Sequence, residues 1–521
     1  MDPCISTTSR HQSTGRIEQG AISGESQRPR YASFPYNAYW LLSEHSWHVC
    51  NSPRTTSIHI LDDNSLLHVF YLYRPFFRGE DGSAEWIYNG VWWYALAHVC
   101  RRWRNIIFGS ATYLGLSLLC TYGTPVADML AHSPPFPLVI GYFRKDRELT
   151  TEDEEGIILA LKRHDRVRRV RLSGSRTAGP AGTIIQKLIL AMDEEYPILE
   201  YLYIVLRDYN TILTFPGTFQ APHLRELVLQ GCALPIGSRL LTTAVGLIEL
   251  RLVMVHPSTY FHPNTLLQWI SHMPHLETLE ILFQFSIPNR DVERQLTHTP
   301  IIAHITLPNL HRFHFRGVGT YLEALVHRIT TPRLKELNIR FFNQLTFSVP
   351  RLLQFIDTAE ELRFGNAVLT FSDKSVGARV SHGASKVYVF SITVKCCHLD
   401  WQASSMAQIS NSLGQMFSSV EYLALQHRVH NESSEEHNEV DRTEWRNLLR
   451  PFSNVKTLRV GKALFKDLSR CLQLEDGESP LELLPELQEL RYYGSGYTGG
   501  VFTSFIDTRQ NAGRPVTLVC W

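Results

Sequence analysis

The chain lacks a long hydrophobic run. No stretch of about 18 apolar residues in succession occurs, so a membrane-spanning helix is not expected. The first residues also lack the apolar core of a secretion signal. Lysine and arginine number 51 and aspartate and glutamate 50, so no charge excess attracts nucleic acid or a membrane. We therefore expect a cytoplasmic or nuclear protein whose charge-based recognition is local.

The chain also lacks the motifs of catalytic and metal chemistry. Its nine cysteines are scattered without a C-x-x-C pair, which is typical of reduced thiols rather than a zinc or disulfide framework. It contains no P-loop, no H-E-x-x-H, no nucleophile elbow and no spaced carboxylate pair. We accordingly expect neither an active site nor a cofactor.

Three segments contain residue types of binding sites, but a simpler interpretation is favoured for each. The glycines of GSGYTGG at 494–500 have nucleotide-loop spacing, yet too few residues follow for a nucleotide-binding unit. His427, His430 and His437 lie among glutamates without apolar neighbours, which favours a solvated loop over a metal site. KRHDRVRRVR at 162–171 contains Val167 and Val170 at the apolar positions of a predicted strand, which favours solvated arginines over the alternatives of nucleic-acid binding or nuclear import.

One short pattern recurs from residue 167 onward: an apolar residue, two variable ones, an apolar one, one variable and another apolar. Alternate positions of a strand face the same side, so each copy predicts a strand with one buried face. Clear copies are VRRVRL at 167, LEYLYI at 199, LRELVL at 224, LIELRL at 247, LETLEI at 276, LHRFHF at 310 and LKELNI at 334. Degenerate copies are AEELRF at 359, VEYLAL at 420, VKTLRV at 455 and LQELRY at 487, with SKVYVF at 385 a weaker candidate.

The segments between these copies have helical periodicity. The apolar stripes are Leu266, Leu267, Trp269, Ile270 and Met273, then Met406, Ile409, Leu413, Met416 and Phe417. Each unit is thus predicted to be a strand followed by a helix. The array resembles leucine-rich repeats, whose units span about 20–29 residues. The resemblance implies an α/β solenoid, with a curved parallel sheet inside and helices outside, that binds a macromolecule. The alternative is that the repeats only hold the chain together.

Two apolar-faced helices are predicted upstream of the array. In IHILDDNSLLHVFYLYRPFF, residues 58–77, the polar residues after Leu61 supply N-cap chemistry for a helix. In ALAHVCRRWRNIIF, residues 95–108, a continuous helix would place the apolar residues within about a 100° arc and the arginines elsewhere.

These two segments together resemble an F-box, and the second matches its L-x-x-V-C-[RK]-x-W-[RK] motif. Two features depart from the pattern: Asp62 stands where proline is usual, and the spacer from residue 74 is long. An F-box is too small to bury all its apolar surface, and in this family the surplus docks on the Skp-type adaptor of a cullin–RING ubiquitin ligase. The resemblance assigns adaptor binding to Leu61, Leu66, Leu67, Val69, Phe70, Leu96, Val99, Cys100 and Trp103. The alternative is a helix that caps the first repeat.

A client is expected on the sheet face opposite the helices. In each copy, the residue between the two later apolar positions and the one just after them face that side. In the middle units these residues are His314 and Arg316, Asn338 and Arg340, and Arg363. Adjacent strands lie about 4.8 Å apart, so Arg316 and Arg340 are predicted side by side, where they could bind an acidic or phosphorylated client segment. The alternative is that Glu336 and Glu361 neutralise the patch.

The predicted organisation follows from these patterns. Residues 1–57 form an N-terminal segment, disordered at least to about residue 30 because it has little apolar surface. Residues 58–115 form the F-box, 116–166 a connecting segment and array cap, and 167–521 the repeat array. We expect a non-catalytic substrate receptor that holds a client near a ubiquitin ligase. The alternatives are an interaction scaffold with a degenerate F-box outside any ligase, and an enzyme with an unrecognised site.

Overall fold

The structure is a computed structural model. It describes residues 60–73, 92–143, 150–174, 181–206, 208, 211–234, 238–256, 260–284, 304–342, 349–359, 361–362, 364–382, 387–428, 442–473, 479, 481–492 and 499–520. The chain divides into two units after Asp62, and the second unit contains the repeat array. The N-terminal segment predicted to be disordered, the spacer after residue 73 and most of the glycine-rich and histidine-rich segments lie outside the described residues.

Helices and strands alternate along the second unit. The helices are α1 Asp63–Tyr73, α2 92–97, α3 Arg101–Gly109, α4 Ala111–Leu114, α5 Val126–His132, α6 Thr151–Leu161, α7 Ala181–Leu190, α8 Arg239–Thr243, α9 Pro263–Ser271, α10 Gly319–Val326, α11 Pro350–Asp357, α12 Leu399–Ser412, α13 Gly414–Phe417, α14 Arg442–Leu449, α15 Phe465–Leu472 and α16 Thr503–Asn511. The strands are β1 Leu118–Thr121, β2 Leu138–Phe143, β3 Val167–Gly174, β4 Tyr201–Leu206, β5 Leu213–Thr214, β6 Glu226–Gln230, β7 Cys232–Ala233, β8 Glu249–Val255, β9 Thr278–Phe283, β10 Ile305–Thr306, β11 Arg312–Gly317, β12 Ile329–Thr330, β13 Glu336–Phe341, β14 Asn366–Ser372, β15 Ser375–Ser381, β16 Tyr388–Lys395, β17 Tyr422–Arg428, β18 Thr457–Val460, β19 Glu489–Tyr492 and β20 Thr517–Cys520.

Sixteen of these strands form one large sheet, in the order β1-β2-β3-β4-β6-β8-β9-β11-β13-β16-β15-β14-β17-β18-β19-β20. Except at β15, neighbouring strands run parallel. Parallel neighbours need a crossover connection, and the helices of the repeat units supply it. The result is a mixed α/β array with one large, mostly parallel sheet, which fits the leucine-rich-repeat type.

The repeat pattern forms strands because its apolar positions alternate with polar ones. In β11, Phe313 and Phe315 are buried while His314 and Arg316 stay partly exposed, and β13 repeats this alternation. Every predicted clear copy overlaps a strand, and so do VEYLAL, VKTLRV, LQELRY and the described part of the weaker candidate SKVYVF. The two predicted helical stripes are confirmed as the buried faces of α9 and of α12 with the short helix α13 that follows it.

The predicted strand at AEELRF is wrong. Helix α11 ends at Asp357, the described residues after it form a turn, and β14 begins only at Asn366. The three strands that follow then enter the sheet in reverse order. Strand β16 pairs with β13, antiparallel β15 lies next to it, and β14 pairs with β17.

The side chain of Gln402 on α12 fastens this reversed segment. It is buried, and its amide donates hydrogen bonds to the carbonyl of Ser372 at 2.6 Å and to that of Cys396 at 2.9 Å. These carbonyls end β14 and follow β16, so one amide joins both outer strands of the reversal to the helix layer.

Gln402→Met is expected to lower the free energy of unfolding by about 2 kcal/mol, because the buried Cys396 carbonyl and the half-buried Ser372 carbonyl both lose this donor. Urea denaturation followed by circular dichroism measures the change. The matched control is Gln415→Met, at an exposed position on α13, which should change stability by less than about 0.5 kcal/mol. Equal effects of the two substitutions would contradict this role.

The prediction of one continuous helix over 95–108 is also wrong. Helical residues end at 97, residues 98–99 form a turn, and α3 begins at Arg101. Cys100 is the N-cap: its φ is −159° and its Sγ accepts a hydrogen bond from the Trp103 N–H at 3.5 Å. The guanidinium of Arg104 donates to the Ala97 carbonyl at 3.0 Å, which satisfies an acceptor freed by the break. The apolar residues therefore do not form a single helical face.

Candidate functional site: the amino-terminal helices and the open sheet face

Helices α1, α3 and α4 pack together through aromatic rings and one ion pair. The rings of Phe70 and Trp103 meet edge to face with centroids 4.8 Å apart. Tyr71 of α1 and Tyr113 of α4 lie 5.3 Å apart. The Arg102 guanidinium pairs with the Asp63 carboxylate at 2.8 Å. The buried side chains of the same helices, Leu66, Phe70, Ile107 and Leu114, belong to the core that continues into the sheet.

The nine predicted adaptor-binding residues differ in exposure. Leu66 and Phe70 are buried in the chain's own core, so they support the helices rather than offer contact area. The half-buried residues are Leu67, Leu96, Cys100 and Trp103. Leu61, Val69 and Val99 are exposed. Leu61 belongs to the first unit of the chain and the other eight residues to the second.

Large apolar side chains remain exposed on these helices after they have packed. Val69 is 44% exposed, Leu72 64%, Tyr73 61%, Val99 57% and Tyr113 52%. Single exposed apolar residues are ordinary, so five of them on these short segments make this region a candidate contact surface. Sequence reasoning missed Leu72, Tyr73 and Tyr113, although the YLY of 71–73 directly follows the predicted apolar face.

The second candidate surface is the open face of the sheet, meaning the side chains that point away from the helix layer. Strand register places His314 opposite Asn338 and Arg316 opposite Arg340. The predicted juxtaposition of the two arginines is confirmed. Arg316 is held in place, because its Nε donates to the Phe283 carbonyl at 2.8 Å.

An acidic and histidine cluster lies beside these arginines on the open face. His314 Nε2 lies 2.9 Å from Glu336 Oε1, and its Nδ1 lies 3.9 Å from Glu280 Oε1. Burial alone would lower the pKa of His314, but the hydrogen bonds and charges of both carboxylates outweigh it and raise that pKa. Burial would raise the pKa of Glu280, but His314, Arg251 and Arg340 lower it overall. The imidazolium is therefore favoured between two carboxylates.

The raised pKa of His314 predicts that stability depends on pH. The stabilisation that the charged His314 contributes is full below the unfolded-state pKa of a histidine, about 6.5. It is lost as pH rises through the higher pKa of His314 in the folded state. We expect the difference in unfolding free energy between wild type and His314→Gln to shrink as pH rises through that range. Urea denaturation at several pH values measures it. His275→Gln, at an exposed position, is the control and should show no such trend. A difference independent of pH would contradict the proton linkage.

The basic residue that the structure places beside Arg340 is not the predicted Arg363. Arg363 lies outside the described residues, and the strand beside β13 is β16 rather than one from AEELRF. Arg340 therefore faces Thr393, and the basic residue two positions further along β16 is Lys395. We call Arg316, Arg340 and Lys395 the basic cluster. Sequence reasoning missed Lys395, although it ends the alternating stretch YVFSITVK.

Glu336 and Glu361, the alternative partners that would neutralise the arginines, form ion pairs with other residues. Glu336 contacts His314 and also Arg312, whose Nε lies 3.8 Å from Glu336 Oε2. Glu361 pairs with Lys335 at 3.5 Å. These carboxylates are thus engaged by partners outside the basic cluster.

The similarity of the chain to known proteins is distant. No protein-family model and no curated protein matches the chain. Among solved structures, the chain is similar to the leucine-rich repeat-containing protein LegL7 from Legionella pneumophila. The similarity covers 75% of this chain and 97% of that chain, at 9% sequence identity and a TM-score of 0.25. A likeness at that score decides nothing, so the fold type rests on strand order and the candidate surfaces rest on their own side chains.

The basic segment at 162–171 leads into β3, which begins at Val167, and arginines on this strand have partners within the chain. Arg168 pairs with Glu200 at 2.9 Å, and the Arg171 guanidinium lies 4.6 Å from the ring centroid of Tyr203. Within the described ranges, no helix is long and apolar enough to cross a membrane. The same residues contain no group of three or more histidine, cysteine, aspartate or glutamate side chains placed to hold a metal ion.

Proposed function

We propose that this protein is the non-catalytic substrate receptor of a cullin–RING ubiquitin ligase. The observation that carries the proposal is that the segment with the F-box motif exposes Val69 and Val99, two of the residues that the resemblance assigns to the adaptor. Buried Leu66 and Phe70 give those residues a fixed support. A Skp-type adaptor that covers them would remove apolar area from water at low ordering cost.

The client would bind the open face of the repeat sheet. This surface combines the acidic and histidine cluster with the basic cluster, so it can recognise an acidic or phosphorylated segment by charge. The protein would perform no chemistry of its own. Binding of adaptor and client to one chain raises the effective concentration of client lysines near the ubiquitin-carrying enzyme.

Affinity purification of the full chain from cells tests the proposal. We expect the adaptor and the cullin to co-purify, and clients to accumulate on the chain when the proteasome is inhibited. Clients without adaptor and cullin would instead support an interaction scaffold outside any ligase. Nucleic acid as the main bound component would overturn both.

A charge-reversal variant on the open face tests whether client and adaptor bind to different surfaces of the protein. The double variant Arg316→Glu, Arg340→Glu should weaken client binding about 100-fold or more, because two favourable charge contacts become repulsive. Adaptor recovery should not change, since neither residue lies on the amino-terminal helices. Quantitative mass spectrometry of both partners measures this. Unchanged client recovery would place the client elsewhere on the protein.

A further inference from the structure

His314 lies on the open face between carboxylates of both neighbouring strands. Strand register places it directly opposite Glu280 on β9 and opposite Asn338 on β13. Its ring nitrogens lie 3.9 Å from Glu280 Oε1 and 2.9 Å from Glu336 Oε1. The His314 side chain is 26% exposed, so it exchanges protons with solvent and is within reach of a segment bound to the open face. The charge of this one ring therefore acts on whatever binds there.

The charges around His314 balance only when its ring is protonated. Arg251 pairs with Glu249 at 2.7 Å and lies 3.7 Å from Glu280. Arg312 lies 3.8 Å from the other carboxylate that contacts the ring. This network thus contains three carboxylates and two guanidiniums, so it is neutral with the His314 imidazolium and carries one negative charge with neutral His314.

His314 is the member of this network whose charge changes near neutral pH. Burial lowers the pKa of His314, but the hydrogen bonds and charges of the two carboxylates outweigh burial and raise that pKa overall. Glutamates ordinarily ionise near pH 4 and arginine keeps its proton, so their charges are constant from about pH 6 to about pH 9. The same holds for Arg316 and Arg340, which lie two residues further along β11 and β13. A change of pH in that range therefore alters the network through His314.

We propose that His314 is a proton-dependent switch that admits an acidic client segment to the open face when it is protonated and repels that segment when it is neutral. The inference rests on the proposed binding of clients to this face and names how that binding is regulated. Neutral His314 leaves one carboxylate charge uncompensated, which repels an acidic group that lies about 7 Å away. Binding of the proton and binding of an acidic segment therefore favour each other.

Fluorescence anisotropy with the full chain tests the switch. The probe is a labelled degenerate peptide library with a fixed run of glutamates, because their carboxylates stay ionised from about pH 6 to about pH 9, whereas a phosphate would itself titrate. We expect wild type to bind this acidic library about tenfold more weakly at the upper end of the range than at the lower end. A library with glutamines in place of the fixed glutamates measures binding that does not depend on charge.

Substitutions of His314 separate its charge from its shape. His314→Gln should bind the acidic library at every pH as wild type does at the upper end, because glutamine has no proton-dependent charge. His314→Lys should bind at every pH as wild type does at the lower end, because a lysine ordinarily stays charged up to about pH 10. The matched control is His275→Gln, at an exposed position, which should keep the wild-type trend. Absence of the trend in wild type, or its persistence in His314→Gln, would overturn the switch.

Proton uptake on binding gives a second readout, which a merely structural role of His314 would not change. Isothermal titration calorimetry in buffers of different ionisation enthalpy measures it. Near the pKa of His314, wild type should take up part of a proton per bound peptide and His314→Gln none. Equal uptake by both proteins would assign the linkage to another group and overturn the switch. Melting temperatures are measured in parallel, and His314→Lys keeps the switch testable if His314→Gln is unstable.

Failure of the switch and failure of the receptor function give different results. Adaptor capture together with pH-independent binding of the acidic library overturns the switch and leaves the receptor function standing. Binding that depends on pH through His314, without adaptor capture, supports the switch and counts against the ligase role. Absence of acidic-library binding at every pH overturns the switch and also excludes an acidic client segment.

Discussion

Replacement of Val69 and Val99 by glutamate is expected to reduce adaptor capture about 100-fold or more. Both side chains are exposed, at 44% and 57%, so the substitutions place two charges on the surface without entering the core. If the adaptor buries these positions, each new carboxylate is desolvated on binding and an apolar contact is lost. Each substitution then costs about 2 kcal/mol or more of binding free energy. Surface binding measurements with purified adaptor give the change in Kd.

The control for this pair is Val245→Glu, an equally exposed valine within the repeat array, at 53%. It should bind the adaptor as wild type does. Trp103 is a poorer choice for the test, because it packs on Phe70 and its loss would loosen the helices themselves. Full adaptor binding by a folded Val69→Glu and Val99→Glu protein would exclude the F-box assignment.

Arg509→Ala is expected to lower the free energy of unfolding by about 3–5 kcal/mol. The Arg509 side chain is fully buried in α16, and its Nη2 donates to the carbonyls of Pro485 at 3.0 Å and Leu487 at 3.1 Å. Its removal leaves the buried Leu487 carbonyl and the half-buried Pro485 carbonyl without this donor and opens a cavity behind the last strands. Urea denaturation gives the total, and hydrogen exchange in β20 shows whether the array end unfolds first.

Arg514→Ala is the comparison for this prediction. Arg514 is 55% exposed on its side chain and pairs with Glu486 at 3.4 Å. Such a surface pair contributes under about 1 kcal/mol. A loss below about 1 kcal/mol for Arg509→Ala as well would show that water replaces the guanidinium as the donor.

The strands and helices of the repeat units were predictable because the spacing of apolar residues within each short unit determines which side chains are buried. In LKELNI, Leu334, Leu337 and Ile339 are all buried, as the local alternation requires. The break after residue 97 was not predictable from spacing alone. Apolar positions on either side of Cys100 match one helix, and only the N-cap bond to its sulfur reveals that two helices meet there.

The basic cluster was half predictable for a related reason. Arg316 and Arg340 lie on consecutive units of the same pattern, so their register follows from the repeat. Lys395 could not be placed because the pattern does not tell which strand pairs with β13. That choice depends on the hairpins β14-β15-β16 and on the helix that follows them, which are non-local contacts.

The reversed order of β14, β15 and β16 constrains how the chain assembles during synthesis. An ordinary array can add each unit as it leaves the ribosome, but β13 has no partner on its far side until β16 has been made. Strand β14 is synthesised before β15 and β16 but joins the sheet only through its pairing with β15. Strand β17 is synthesised after these three and then pairs with β14. The unpaired edge of β13 is an available template for other chains in that interval. We expect nascent chains halted between β14 and β16 to be the species that aggregate or recruit chaperones.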